Sequence, residues 1–138
     1  SNVQSAIWFA NFALPHIAEQ GGGSYTIVSS IGGLKGSATL GLYAISKSAD
    51  FGIARSLAVE WGPKNIRANC IAPGLVKTDF ARALWENQKL REDREARTPL
   101  RRLGEPDEIG GIAVFLASRA ASFVSGQIIV ADGGVTVA

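Results

Sequence analysis

Three short apolar runs, Tyr25 to Ser29, Arg67 to Ala72 and Gln127 to Val130, alternate along the chain with stretches of helical pattern. A short apolar run bounded by turn residues reads as a strand buried on both faces. Two such strands joined by a helix-length crossover run parallel, because a connection of that length returns the chain to the same end of the sheet. The order helix, strand, helix, strand, helix pair, strand therefore predicts an α/β fold, a parallel sheet with helices on both faces. No internal repeat, low-complexity tract or linker divides the 138 residues, so they form one domain at most.

The helical stretches have recognisable ends. Val3 to Gln20 carries Val3, Ile7, Phe9, Ala10, Leu14 and Ile17 on a broad apolar face, and Pro15 is expected to bend this helix or end its first part. Gly21-Gly22-Gly23 then stops it. These glycines precede a strand, whereas a phosphate-cradling loop follows one and opens a helix, so they read as a turn. Gly32 to Gly41 is a loop of glycine and small polar residues, and Leu42 to Trp61 is a second helix ended by Gly62-Pro63. Leu84 to Arg97 is predicted as a charged helix, with Thr78 or Asp79 available as a cap and Lys89/Asp93 and Arg91/Glu95 at pairing distance. Pro106-Asp107-Glu108 has the grammar of a helix start, with proline first and carboxylates at the positive end of the dipole, and Ile109 to Ser118 continues it.

Composition excludes several classes. Hydrophobic content of 46% with 19% charged residues describes a soluble globular chain, and a net charge of +2 without a basic stripe gives no footprint for nucleic acid. No apolar stretch reaches membrane-spanning length. The single cysteine, Cys70, lies in an apolar run and has no internal partner, which fits a reducing compartment, and the cytoplasm is the expected location. No grouping of Cys, His and carboxylates has metal-ligand spacing, and His16 and the tryptophans Trp8, Trp61 and Trp85 read as structural residues.

The chemistry is concentrated in residues 29–47. Tyr43 and Lys47 are four apart, so in a helix they share one face a single turn from each other. A free phenol keeps its proton at neutral pH, but a fixed positive charge beside it favours the phenolate. That pairing makes a tyrosine a general acid or base at a carbonyl or alcohol. Ser30, at the end of the first strand, can supply a hydroxyl to the same oxygen; its neighbour Ser29 is the alternative, pointed to the opposite face by strand alternation.

Ser30, Tyr43 and Lys47 at these intervals resemble the catalytic set of the short-chain dehydrogenase/reductase family. The likeness continues in order through Asn69-Cys70-Ile71-Ala72-Pro73-Gly74, Arg102-Leu103-Gly104-Glu105-Pro106 and Gly126-Gln127 to Asp132-Gly133-Gly134. It covers essentially the whole chain and only the carboxyl-terminal half of that family's domain. The resemblance implies a Rossmann-type sheet with its amino-terminal half missing, NAD or NADP as cofactor, and hydride transfer between the nicotinamide and a small carbonyl compound or secondary alcohol. It implies Tyr43 as acid/base and Lys47 as the residue that lowers its pKa and holds the nicotinamide ribose. It also places Asn2 as a fourth catalytic residue, supporting a proton relay, and Pro73, Gly74, Val76 and Thr78 around the nicotinamide carboxamide. By the same likeness, residues 79–100 carry substrate choice and the charged helix within them forms a lid over the substrate.

The family's glycine-rich cofactor turn and the residue that selects between the two nicotinamide cofactors do not occur in these 138 residues. A non-catalytic remnant or oligomerisation module, unable to bind cofactor alone, is therefore the alternative. In the family the Tyr25 to Ser29 strand is interior, so its outer edge is expected to be covered by another chain, by an amino-terminal fragment or by an exchanged segment. A homo-oligomer is the expected assembly.

Overall fold

The computed structural model of the protein describes residues 2–138, and of Asn2 the backbone only. Strands β1 (Gly23–Val28), β2 (Ile66–Pro73) and β3 (Ile128–Ala131) lie side by side in that order and are all parallel. The register sets Tyr25 against Ala68 and Val28 against Ile71, then Cys70 against Ile128 and Pro73 against Ala131. Helices α1 (Asn2–Glu19), α2 (Gly41–Trp61), α3 (Arg82–Trp85), α4 (Gln88–Arg97) and α5 (Pro106–Ala117) fill the connections.

Alternation along β2 builds two cores. Ala68, Cys70 and Ala72 point into a layer with Tyr25 and Ile27 of β1, Ala10 and Leu14 of α1, and Phe51, Ala54 and Leu57 of α2. Ile71 points the other way, against Leu116, Ala121 and the partly buried Ile109 and Ile112. Helices thus cover both faces, as the strand pattern requires. Each large side chain so buried contributes roughly 1.5–3 kcal/mol relative to exposure.

The turn out of α1 depends on glycine. Gly21 and Gly22 have φ of 90° and 114°, and a Cβ on Gly22 would sit 2.2 Å from the Asn65 carbonyl oxygen. Asn65, itself left-handed at φ 59°, closes the opposite end of the crossover and accepts the Gly23 N–H at 3.0 Å.

Three expectations are corrected. Helix α1 runs through Pro15 to Glu19; proline removes only the bond to the Asn11 carbonyl, and Leu14 and Ile17 on either side pack into the same core. The apolar face of α1 is divided, because Ala10 and Leu14 are buried whereas Phe9 faces outward with Trp8 (64% exposed) and Phe12 (70% exposed). Trp8 therefore packs nothing within this chain's core. Finally, the charged helix is broken. Asn87 Oδ1 accepts the Leu90 N–H at 3.1 Å and caps α4, separating it from α3, since a short amide side chain competes with the helical backbone for its own donors. The ion pairs shift accordingly. Asp93 meets Arg97 at 2.8 Å, not Lys89, and no Arg91/Glu95 pair forms among the described residues; a carboxylate on the amino-terminal side of its cation is the favoured orientation.

Candidate active site

The carboxyl ends of β1 and β2 and the first turns of α2 converge at one edge of the sheet, the edge at which open α/β sheets bind ligands. After β1 the Ser29 N–H donates to the Ile71 carbonyl at 2.8 Å, extending the ladder by one residue. Its buried hydroxyl then donates to the Lys47 carbonyl at 2.8 Å. Ser29 is thus a tie between strand and helix, pointed away from the reacting side as alternation required.

Ser30 starts a 3₁₀ turn, Ile31–Leu34, and its Oγ accepts the Gly32 N–H at 3.0 Å. A hydroxyl that accepts one bond keeps its own hydrogen to donate. A Cβ on Gly32 would lie 3.1 Å from Tyr43 Cε1 and 3.3 Å from Ser30 Oγ, so the serine hydroxyl and the tyrosine ring flank one glycine. Lys47 Nζ stands 5.8 Å from the centroid of the Tyr43 ring, within the range of a cation–π contact. Ser30, Tyr43 and Lys47 are brought together. Asn2, the fourth candidate, lies outside the described residues as far as its side chain is concerned.

Pro73 ends β2 and Gly74 donates to the Ala131 carbonyl at 2.9 Å. Only a glycine fits there, since its Cβ would lie 2.9 Å from the Asp132 Cα. Val76 is buried and bridges to Gly104, and the Thr78 N–H turns back to the Val76 carbonyl at 2.8 Å. Thr78 Oγ1 accepts the Ala81 N–H at 3.3 Å, which leaves its hydrogen to donate, and its carbonyl accepts the Trp85 indole N–H at 2.8 Å. The segment is rigidly held beside the Ser30 turn, on the neighbouring strand.

A cavity of 620 Å³ opens on this edge, with Ile31, Leu75, Thr98, Leu103 and Asp132 in its wall. Burial pushes the Asp132 carboxyl up, but hydrogen bonds from Thr136 and from the Gly134 N–H outweigh it and hold the group below the usual carboxylate range. Its oxygens are engaged at 2.9 Å and 2.8 Å by those backbone donors, so Asp132 shapes the wall rather than acting as a base. Among the described residues no three His, Cys, Asp or Glu side chains group to hold a metal. No helix among them is long and apolar enough to cross a membrane.

Sequence reasoning placed Gly32 and Gly33 in the loop that follows Ser30 and gave them no packing role of their own. A Cβ on Gly33 would lie 2.6 Å from the Lys47 carbonyl carbon, so this pair sets how closely the serine turn approaches α2. Their position two and three residues after Ser30 was the available signal.

A parallel sheet with a hydroxyl, a phenol and an ammonium at its carboxyl edge defines the chain as an α/β protein with a polar site at that edge. The family model described as Enoyl-(Acyl carrier protein) reductase matches residues 1–136, and the chain belongs to the short-chain dehydrogenase/reductase family. It is 41% identical over 133 residues to Dehydrogenase/reductase SDR family member 4 of Sus scrofa, covering 96% of this chain and 48% of that protein. A short-chain type dehydrogenase/reductase from Mycobacterium ulcerans superposes with a TM-score of 0.94 at 38% identity, over 99% of this chain and 50% of that one. A gluconate 5-dehydrogenase from Burkholderia cenocepacia, in complex with NADP and tartrate, gives 0.94 at 33% identity, over 99% and 54%. The chain spans about half the length of the relatives it matches.

Proposed function

We propose that this chain is the acid/base half of an NAD(P)-dependent dehydrogenase/reductase acting on a carbonyl or secondary alcohol. The observation that supports the reading is that the Ser30 hydroxyl and the Tyr43 ring flank Gly32 while the Lys47 ammonium faces the same ring at 5.8 Å. In the oxidative direction the Tyr43 phenolate takes the hydroxyl proton of the substrate, and in the reductive direction the phenol returns it. Lys47 stabilises the phenolate, and the Ser30 hydroxyl, already oriented by Gly32, donates to the same substrate oxygen. NAD or NADP supplies or accepts the hydride when bound.

The residues present fit the nicotinamide end of such a cofactor: Gly74 lets the chain leave β2 close against Asp132, Thr78 has a hydrogen to donate, and Lys47 lies at the same edge. Pro73 and Val76 would complete that wall. Asn2 would extend the proton path beyond Lys47. The rest of the cofactor would be held by residues outside this sequence, and the open side of β1 is where the remaining strands would add. The outward apolar residues of α1 and α2 suit contact with a second copy.

The test is Tyr43→Phe in the full-length protein. Turnover of a secondary-alcohol panel with NAD or NADP falls by about 10²–10⁴-fold, while cofactor affinity, followed by NADH or NADPH fluorescence, stays near the unmodified value. Retained turnover rules Tyr43 out as the acid/base, and absence of any saturable cofactor binding in the unmodified protein favours the non-catalytic module.

A further inference from the structure

Tyr43, Lys47 and Asp50 occupy one face of α2, spaced by four residues and then three. Asp50 is 2% exposed, on a helix whose other buried residues are Ala44, Phe51, Ala54 and Leu57. Its Oδ2 lies 3.9 Å from Lys47 Nζ, the one cation among the described residues within ion-pair reach. Burying a carboxylate without a counter-charge is strongly unfavourable, so the ammonium is what allows an acid at this position. The same ammonium faces the Tyr43 ring. It therefore lies between the Asp50 carboxyl and the Tyr43 ring.

We propose that Asp50 is a positioning residue: it holds the Lys47 ammonium in the cleft between α1, β1 and α2 and through it sets the pH dependence of the Tyr43 proton transfer. This rests on the acid/base reading of Tyr43 given above. The cleft is lined by Ser5, Phe9, Tyr25, Thr26, Lys47 and Asp50. The titratable groups that face the pair leave it dominant. On β1, burial raises the Tyr25 phenol, whose hydroxyl donates to the Ala6 carbonyl. On β2, the Cys70 thiol is pushed up to about 11 by burial and by the charge of Asp50, so it stays neutral. On α1, His16 and Glu19 pair with each other at 3.7 Å near the far end of the helix.

Removing the carboxylate leaves Lys47 to the phenol alone. In the full-length protein labelled with tyrosine carrying ¹³C at Cζ, the Tyr43 resonance is identified by its loss in Tyr43→Phe. In Asp50→Asn its titration midpoint moves to lower pH by about one unit, the acid limb of the kcat/KM profile moves with it, and Asp50→Glu keeps the unmodified midpoint. An unchanged midpoint in Asp50→Asn overturns the proposal; Asp50→Ser gives the same comparison where the asparagine variant does not fold. The resonance reports on Asp50 even in a protein without turnover, so failure of the oxidoreductase reading and failure of this one are told apart.

Discussion

Gly33 packs its α-carbon against the backbone of α2, where a methyl group would come 2.6 Å from the Lys47 carbonyl carbon and 2.7 Å from the Ser48 nitrogen. Backbone atoms inside a helix cannot step aside, so an added methyl pushes the serine turn outward. Gly33→Ala is expected to cost about 1–3 kcal/mol of stability, read as a lower Tm, and to reduce kcat/KM of the full-length protein more than tenfold by moving Ser30 off Tyr43. Gly36→Ala is the control, since nothing lies within 4 Å of a Cβ there; it stays within about 0.5 kcal/mol of the unmodified protein. The sharing of one face by Tyr43 and Lys47 was legible in the sequence because one helical turn encodes it locally, and Ser30 was legible as the end of a strand; the approach of Ser30 to Tyr43 across the loop between them was suggested only by family resemblance. Gly33 and Asp50 were not legible, because their roles depend on which backbone and which cation approach them in the folded chain. Only packing decides that.

At the level of single elements, α5 shows how a local code survives folding. Glu105 and Glu108 close the start of α5 around Pro106, the Glu105 N–H donating to the Glu108 carboxylate at 2.8 Å and the Glu108 N–H to the Glu105 carbonyl at 3.0 Å. Arg102 also grips Glu108 with two bonds of 2.8 Å and 2.6 Å. The Arg102 guanidinium and the Glu105 N–H hold the Glu108 carboxyl down at about 2, against an ordinary 4.5. A carboxyl depressed by folding stabilises the native state above its ordinary value, and that contribution is lost as pH falls through the native one. Glu108→Gln is therefore expected to lower Tm at pH 7 and to flatten the loss of stability between pH 4.5 and about 2. An acid limb of unchanged steepness, measured by thermal melts across that range, contradicts the expectation. This start was readable because proline and carboxylates announce it. The break at Asn87 was not, since charge alternation continues across it and favours one long helix.

Across the molecule, the surface of α1 and α2 stands apart from an ordinary monomer's. Trp8, Phe9 and Phe12 of α1 and Leu42, Ile45 and Val59 of α2 all face outward. Large exposed apolar groups in such numbers mark a contact surface. If this face meets a second copy, as proposed above, Phe12→Asp in the full-length protein shifts the sedimentation coefficient toward a smaller species and leaves the far-ultraviolet circular dichroism unchanged; an unaltered sedimentation profile contradicts that role for the face. The alternation of strands and helices, and with it the layer order, was plain from the sequence. The division of the α1 apolar residues between core and exterior was not, because hydrophobicity alone does not say whether a partner or the chain itself will cover them.

The bond from the Ser29 hydroxyl to the Lys47 carbonyl fastens the end of a strand to the helix that follows it. The Ser30, Tyr43 and Lys47 side chains lie within that closed loop of chain, whereas Asp50 and the groups that would grip a cofactor's distant end lie beyond it. A displacement of the strand end is therefore passed straight to the backbone of α2 one turn beyond Tyr43, with no other side chain between them to absorb it.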